Sequence, residues 1–185
     1  WLGHDIHGAT LGIVGLGSIG SAVARRAKGF DMQIKYTARS RQHDSEGKVG
    51  AEFVPSLYDM LSQSDFVSLH VPLNDSTRDL ISTSAFDAMK STAYLVNTSR
   101  GDVVNTDALL AALQNGTIAG AGIDVTSPEP LTPDHPLLQQ PNLVITPHIS
   151  SATHATRNRM AMLAAENAIA VCSGASALNL VGRDL

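Results

Sequence analysis

The sequence predicts an α/β fold in which helices cover both faces of a doubly wound, parallel β-sheet. Short apolar runs alternate with helical patterns along all 185 residues. Only 4% of the residues are aromatic, so valine, isoleucine, leucine and alanine must build the core, as is typical of a buried parallel sheet. A glycine-rich turn also follows the first apolar run and opens the first helical pattern.

Seven apolar runs have the length and composition of buried strands. In chain order they are TLGIVGL (10–16), QIKYTA (33–38), AEFV (51–54), FVSLHV (66–71), AYLVNT (93–98), AGAGIDV (119–125) and NLVIT (142–146). Strands that alternate with helices at this spacing are joined by right-handed crossovers, and so we expect them to lie parallel in one sheet.

Four segments between the strands carry apolar residues at the i, i+3, i+4 spacing of an amphipathic helix. They are SIGSAVARRAKGF, SLYDMLSQS, STSAFDAMK and NTDALLAALQNG. Ser56 is predicted to cap the second, and Asn105 or Thr106 the fourth, because these side chains accept hydrogen bonds from the first N–H groups of a helix. A last helix, rich in alanine and methionine, is predicted from about Ser151 to Ser173. It carries Cys172, which we expect to be a small buried hydrophobic residue.

Composition and charge exclude several classes of function. The net charge of −4 argues against a nucleic-acid or anionic-membrane binder. No signal peptide and no apolar run of about 18 residues is visible, so we predict a cytoplasmic protein. No metal site is predicted, because the chain has no cysteine pair and these histidines lack ligand spacing: His4, His7, His43, His70, His135 and His154.

The glycine-rich turn predicts a dinucleotide site. It reads G-x-G-x-x-G and consists of Gly15, Leu16, Gly17, Ser18, Ile19 and Gly20. The first glycine permits the tight turn, the second lets the backbone approach a pyrophosphate, and the third allows close helix–strand packing. The N–H groups and the positive dipole end of the following helix attract phosphate. Together with the alternating pattern, this predicts a Rossmann-like fold.

The end of the second strand predicts which dinucleotide binds. An acid at this point would bind a free ribose 2′-hydroxyl, but Thr37 stands there, and Asp31 precedes the strand and so belongs at its other end. Arg39, Ser40 and Arg41 follow instead, and they can bind a 2′-phosphate through charge-assisted hydrogen bonds. NADP(H) is therefore the predicted cofactor, with NAD(H) as the alternative.

Three later strands each end in a stretch that carries charged or titratable side chains. Arg100 follows the fifth strand, Asp124 and Glu129 follow the sixth, and His148 follows the seventh. Because the carboxyl ends of parallel strands lie at one edge of the sheet, Arg, Glu and His could converge on one cleft. Arg100 could then bind a carboxylate. Glu129 could orient His148, which could exchange a proton with a substrate oxygen.

Several ordered motifs together resemble the cofactor domain of the D-isomer-specific 2-hydroxyacid dehydrogenases. They are LGIVGLGSIG, NTSRGDVVNTDALLAAL, GAGIDVTSPEPL and HPLLQQPNLVITPHISSAT, and the resemblance covers nearly the whole chain. DVTSPEP and the segment that follows PHISSAT are most similar to glyoxylate/hydroxypyruvate reductases. Those enzymes commonly use NADPH and reduce a small 2-oxoacid, which is the activity that the resemblance implies.

The resemblance also implies roles for individual residues. Arg100 corresponds to the anchor of the substrate carboxylate, His148 to the acid/base and Glu129 to its partner. Asp124 corresponds to a position near the nicotinamide, and four further residues correspond to cofactor-lining positions: Val71, Pro72, Thr98 and Ser99. Two residues depart from the family pattern: Ser18 stands where Arg or Lys is common, and Ser150 replaces a glycine beside the histidine.

The same resemblance bears on domain organisation and leaves alternatives open. In this family the cofactor domain is an insert between two segments of a substrate domain. Residues 1–185 are therefore predicted to be one cofactor domain, with the substrate domain largely or wholly absent. Family members usually dimerise, so a homodimer is expected, with residues 1–9 as an arm outside the sheet. The alternatives are a phosphoglycerate or D-lactate dehydrogenase, or a dinucleotide-sensing protein like the corepressors that share this fold.

Overall fold

The computed structural model describes residues 3–180, and these contain a parallel sheet of seven strands in the order β3-β2-β1-β4-β5-β6-β7. The strands are β1 (Thr10–Val14), β2 (Gln33–Thr37), β3 (Glu52–Phe53), β4 (Phe66–Leu69), β5 (Tyr94–Asn97), β6 (Gly120–Ile123) and β7 (Leu143–Ile145). Every neighbouring pair is parallel. The predicted fold class and all seven predicted strands are confirmed, although each strand is shorter than its apolar run.

Six α-helices flank the sheet or follow it within the described residues. They are α1 (Ser18–Ala27), α2 (His43–Val49), α3 (Leu57–Gln63), α4 (Thr83–Asp87), α5 (Thr106–Gln114) and α6 (His154–Cys172). Both predicted caps form: Ser56 Oγ accepts from the Asp59 N–H at 3.2 Å, and Asn105 Oδ1 from the Ala108 N–H at 2.9 Å. Helix α2 was not predicted, because it is mostly polar and buries only Val49.

Glycine at the centre of β1 lets a helix pack directly on the sheet. A Cβ atom on Gly12 would lie 2.3 Å from both Met60 Sδ and Ser64 Oγ, which belong to α3 and the residue after it. A larger residue would require these side chains or α3 to shift. Fully buried side chains such as Tyr36, Ile13 and Leu95 fill the remaining core. The sheet is therefore a rigid support for the loops at its edge.

The chain divides into two compact units, residues 1–148 and 149–185. The predicted last helix is confirmed in the second unit as α6, but none of its residues is buried. Cys172 is exposed, so the prediction of a buried cysteine is wrong. The physical reason is that the apolar residues of α6 are spread around the helix instead of forming one face that could cover the thiol. No helix in residues 3–180 has the length and apolar character needed to cross a membrane.

The segment before β1 stays outside the sheet, as predicted. Residues 3–9 contain no helix or strand, and most of them are exposed. Two contacts hold the segment near the amino ends of the strands: the Gly8 N–H donates to the Phe30 carbonyl at 3.0 Å, and His7 lies 3.6 Å from Asp31. Residues 1 and 2 of the predicted arm lie outside the described residues. Asp31 therefore sits at the amino end of β2, away from the predicted cofactor turn.

Candidate active site

The glycine loop lies where the sheet order reverses, between β1 and β4. Gly15 follows β1 with φ +95°, and a Cβ on it would lie 2.7 Å from the carbonyl oxygen of His70, the residue after β4. A Cβ on Gly20 would lie 2.1 Å from the Gly15 carbonyl oxygen, whereas a Cβ on Gly17 would have no neighbour within 4 Å. Two glycines thus close the loop, and the third leaves its outer face open for a ligand.

A cavity of about 590 Å³ opens beside this loop. Seven of the predicted cofactor residues line it: Gly15, Leu16, Gly17, Arg39, Ser40, Val71 and Pro72. Ser18 and Ile19 are exposed in the first turn of α1, where no side chain caps the helix and no acid repels an anion. Gly20 is buried beneath the turn. The open backbone face at Gly17, which the side chain of any other residue would occupy, lies next to a helix start without a cap. Such a site fits a dinucleotide pyrophosphate.

The loop after β4 forms a wall of this cavity, and the sequence analysis had assigned only Val71 and Pro72 of it. Its unpredicted lining residues are His70, Asn74, Ser76, Thr77 and Leu80, and three further residues line the cavity from elsewhere in the fold: Ala38, Gln42 and Leu57. Thr77 Oγ1 donates to the Pro72 carbonyl at 2.6 Å, and the Ser76 N–H donates to Asn74 Oδ1 at 3.0 Å. The sequence could have indicated these residues by their position directly after a strand, because ligands bind at the carboxyl ends of the strands in such sheets.

His70 contributes a neutral imidazole to the same wall. Its Nε2 lies 2.8 Å from Ser68 Oγ, which is buried in β4. Burial lowers the pKa of His70 below its ordinary value, because the cationic form loses hydration. At neutral pH this side chain therefore adds a hydrogen-bonding group to the cavity and no positive charge.

The turn after β2 is held in shape by a buried tyrosine. Tyr36 is fully buried, and its Oη accepts a hydrogen bond from the Gln42 N–H at 2.8 Å. The Gln42 side-chain amide donates to the Ser40 carbonyl at 3.1 Å and to Ser40 Oγ at 3.2 Å. Arg39 and Ser40 line the cavity at the tip of this turn. The sheet core thus fixes the predicted 2′-phosphate residues.

Arg41 lies on the same turn, but its side chain contacts α2 and β3 instead of the cavity. Its Nε donates to both carboxylate oxygens of Glu46 on α2, at 3.1 and 2.9 Å, and its guanidinium carbon lies 5.7 Å from the centre of the Phe53 ring. The hydrogen bond from Arg41 lowers the pKa of Glu46. Arg41 is absent from the cavity lining, whereas Arg39 lines it and has no ion pair within residues 3–180.

Replacing Tyr36 with phenylalanine is expected to loosen the turn with little loss of packing. The Gln42 N–H then loses its acceptor, and a hydrogen bond of this kind contributes about 0.5–1.5 kcal/mol. We expect weaker NADPH binding with a smaller change in NADH binding, measured by fluorescence titration. Tyr58→Phe is the matched control, because Tyr58 is 49% exposed. Equal loss of affinity for both nucleotides would contradict the assignment of the turn to the 2′-phosphate.

A histidine–carboxylate pair lies at the ends of β6 and β7. His148 Nδ1 is 2.6 Å from Glu129 Oε1, and the two side chains are 49% and 40% exposed, so substrate can reach them. His148 has φ 54°, which few residues other than glycine adopt. Its N–H donates to the carbonyl oxygens of Asp124 and Thr146, both at 3.0 Å. The backbone therefore pins the histidine in an unusual conformation, as is common at functional sites.

A second cavity, of about 510 Å³, adjoins this pair. Glu129 and His148 line it together with Asp124, whose buried carboxylate accepts from Thr146 Oγ1 at 2.5 Å. Its apolar wall includes Pro130, Leu131, Leu138 and Ile145. Only Asp124, of the predicted cofactor residues, lines this cavity.

The remaining predicted residues follow β5, which neighbours β6 in the sheet. Thr98 is exposed, and the Ser99 N–H donates to Asn97 Oδ1 at 3.0 Å. Arg100 is exposed: its carbonyl accepts from the Asn97 side chain at 2.9 Å, and its guanidinium donates to the Ser99 carbonyl at 2.6 Å. Arg100 shares the edge of the His148–Glu129 pair, but no recorded hydrogen bond or ion pair within the described residues joins it to that pair.

The sequence profile described as D-isomer specific 2-hydroxyacid dehydrogenase, NAD binding domain, matches residues 1–150. The chain belongs to this family. The predicted resemblance is thereby confirmed, and the match of residues 1–150 to an NAD-binding domain supports a nicotinamide dinucleotide as the cofactor.

Individual members of the 2-hydroxyacid dehydrogenase family support the assignment. A glyoxylate reductase of Korarchaeum cryptofilum is 54% identical over 184 residues, which are all of this chain and 55% of that protein. A solved structure from Thermus thermophilus is 49% identical, covers 98% of this chain and 56% of that one, and has a TM-score of 0.91. A glyoxylate reductase from Paecilomyes thermophila is 38% identical, with 100% and 56% coverage and a TM-score of 0.91. The chain thus spans about half the length of these similar proteins.

Proposed function

We propose that the protein containing this domain reduces a small 2-oxoacid, glyoxylate or hydroxypyruvate, with NADPH. The observation that carries the proposal is the 2.6 Å contact between His148 and Glu129 at the sheet edge that also bears the dinucleotide cavity. The proposal also draws support from relatives named glyoxylate reductase at 47–54% identity. We further propose that residues 1–185 act as the cofactor domain, and that substrate-binding segments outside this chain complete the cleft.

The chemistry assigns a separate task to each side chain. A nicotinamide cofactor supplies a hydride to the keto carbon when it is bound. His148 gives a proton from Nε2 to the carbonyl oxygen and so forms the hydroxyl group, while the hydride forms the new C–H bond at the carbonyl carbon. Glu129 accepts a hydrogen bond from the Nδ1–H group, which fixes the ring orientation and stabilises the imidazolium. Arg100 binds the substrate carboxylate through its forked N–H groups, and the exposure of its side chain favours this role.

The residues that line the cavity suggest which part of the cofactor each would bind. The backbone of residues 15–20 would bind the pyrophosphate, and Val71 and Pro72 would pack on the cofactor. Thr98, Ser99 and Asp124 are proposed to serve the nicotinamide end, as the family resemblance implies. Asp124 is the member of this group that adjoins the His148–Glu129 pair.

The preference for NADPH rests on Arg39. Arg39 and Ser40 line the cavity at the end of β2, and no acid lines this part of the cavity to bind a 2′-hydroxyl. Arg41 would contribute only through the guanidinium nitrogens that Glu46 leaves available, because its Nε already binds that carboxylate. Arg39 is therefore the principal 2′-phosphate ligand in this proposal.

Changing Arg39 to aspartate is expected to reverse the nucleotide preference. A charged hydrogen bond contributes about 1.5–3 kcal/mol, which is about a 10- to 100-fold change in dissociation constant. NADPH affinity should fall by that factor, because the new carboxylate repels the 2′-phosphate, while NADH affinity should hold or rise. Paired titrations measure both nucleotides. Lys48→Asp, on helix α2 and outside the cavity lining, is the charge-matched control.

Steady-state kinetics of the full-length protein test the activity itself. NADPH oxidation should accelerate on addition of glyoxylate or hydroxypyruvate, and should respond less to pyruvate. Faster turnover of D-lactate or phosphoglycerate with NAD⁺ would favour the alternative dehydrogenases. Nucleotide binding with no turnover of any 2-oxoacid would favour a dinucleotide-sensing protein of the corepressor type. A cytoplasmic homodimer is the proposed physiological form, and the mass in solution tests its oligomeric part.

A further inference from the structure

Asp102 lies between three loops of the candidate site and bonds to two of them through its side chain. Its Oδ1 accepts a short hydrogen bond from Ser127 Oγ, and its Oδ2 accepts from Arg78 Nη1 at 2.7 Å. Ser127 belongs to the loop that carries Glu129, and Arg78 to the loop that lines the dinucleotide cavity. Asp102 itself follows Arg100 by two residues. One carboxylate thus connects the loops after β4, β5 and β6.

Further contacts, which all involve backbone atoms on at least one side, hold the three loops together near this point. The Asp79 N–H donates to the Asp102 carbonyl at 2.8 Å, and Thr106 Oγ1 donates to the Ser127 carbonyl at 2.8 Å. A Cβ on Gly101 would lie 2.0 Å from the Thr126 carbonyl oxygen, so the loops after β5 and β6 are in direct backbone contact. The Asp102 side chain therefore has a fixed location from which to act on its neighbours.

The carboxylate is ionised at neutral pH. The hydrogen bond from Ser127, and then the hydrogen bond from Arg78, hold the pKa of Asp102 below its ordinary value. An ionised acceptor makes shorter and stronger hydrogen bonds than a neutral one. The side chain is one-third exposed, however, so its ion pair with Arg78 alone would add little to stability. Its stronger effect is geometric, through the serine.

Ser127 precedes Glu129 by only two residues, and Glu129 orients His148 at 2.6 Å. A loop that loses its tether to Asp102 can shift Glu129, and an error of about 1 Å in a catalytic group can lower the rate by about 100-fold. The glutamate and histidine side chains are both substantially exposed, so solvent-side packing does not hold them in place. The hydrogen bond from Ser127 to Asp102 therefore constrains the position of the loop that carries Glu129.

We propose that Asp102 is a positioning residue, which sets the location of Glu129 through Ser127 and, with it, the orientation of His148. The inference rests on the proposed reductase function of the site and adds a residue that does not itself touch the substrate. It also explains why a charged side chain follows directly after the Arg100–Gly101 pair.

A double-mutant cycle in the full-length protein tests this coupling. Asp102→Ala and Ser127→Ala are each expected to lower kcat for glyoxylate by about 10- to 100-fold, with NADPH affinity changed less than about threefold. The double variant should be no worse than the worse single variant, because both changes cut the same tether. Asp102→Asn should retain part of the rate, since its amide oxygen still accepts from Ser127.

Glu52→Ala is the matched control for a lost ion-pair carboxylate. Glu52 lies on the edge strand β3, away from the site, and its Oε2 is 3.0 Å from Lys35 Nζ on β2. Removal of the Glu52 carboxylate should leave kcat unchanged. Additive losses in the double variant would overturn the proposal. So would a fall in kcat that is matched by an equal fall in folded fraction, as measured by thermal unfolding.

A spectroscopic readout separates this inference from the proposed function. In full-length protein labelled with ¹⁵N-histidine, the Nδ1 proton of His148 should give a downfield signal that Glu129→Gln removes. Asp102→Ala should broaden or shift that signal, whereas Glu52→Ala should not. If the unmutated protein reduces no 2-oxoacid, the proposed function fails, and this signal alone decides the inference. An unchanged His148 signal in Asp102→Ala would then overturn it.

Discussion

Replacing His148 with alanine is expected to lower kcat for glyoxylate reduction by about 10²- to 10⁴-fold, the usual contribution of a general acid. The residue gives the proton that completes the hydroxyl group, and its Nδ1 lies 2.6 Å from Glu129 Oε1. NADPH binding should persist, because the dinucleotide cavity does not include His148. Stopped-flow kinetics at saturating NADPH measure the chemical step, and fluorescence titration measures binding.

Two further variants test whether the loss of rate is specific to His148. Glu129→Gln should lose less than His148→Ala, since the histidine remains but its orientation is weakened. His7→Ala is the control, because His7 is paired with Asp31 at the opposite edge of the sheet. A His148→Ala enzyme with more than about one-tenth of the normal kcat would show that another group supplies the proton. Loss of NADPH binding in that variant would show that the change had damaged the fold.

Two alanine substitutions in the glycine loop are expected to differ in their effect on stability. A methyl group at Gly20 meets the Gly15 carbonyl at 2.1 Å, so Gly20→Ala must displace the loop from the helix. We expect a loss of about 1–3 kcal/mol in the free energy of unfolding, the range for overpacking. A methyl group at Gly17 meets nothing within 4 Å, and its φ of −75° suits alanine, so the fold should hold.

Cofactor binding distinguishes the two variants further. In Gly17→Ala the new methyl group occupies the face that the pyrophosphate must approach, and loss of even one charge-assisted hydrogen bond weakens NADPH about 10- to 100-fold. Urea unfolding without nucleotide should therefore show a shifted midpoint for Gly20→Ala and a normal one for Gly17→Ala. NADPH titration should show weak binding for both. Normal NADPH affinity in Gly17→Ala would remove the pyrophosphate from this loop.

The fold was largely predictable because most residues of the central strands β1, β4, β5 and β6 are buried. Such strands appear as continuous apolar runs, and each of the seven was recognisable from sequence. Helix α2 was missed because HDSEGKV has one buried residue and no apolar periodicity. The burial of Cys172 was predicted wrongly for a related reason: composition alone does not reveal whether apolar residues share one face of a helix.

The candidate site was predictable to the extent that it depends on strand ends. The adjacency of Glu129 and His148 follows from the parallel order of β6 and β7, and the cofactor loop follows from its glycines. Two side-chain pairings were not predictable. Arg41 bonds to Glu46 on the unpredicted helix α2, and Asp102 bonds to Ser127, 25 residues away. These contacts depend on side-chain distances that no local pattern encodes, so the pairing of Arg41 could not be anticipated.

The reversal of strand order between β1 and β4 links cofactor binding to the completion of folding. Gly15 and His70 meet across this boundary, although 55 residues separate them along the chain. Contacts of such long range form late, because closing the intervening loop costs entropy first. A nascent chain that has formed only β1, β2 and β3 has no crevice for a dinucleotide. Nucleotide that binds only the finished crevice adds to the stability of the folded domain by mass action.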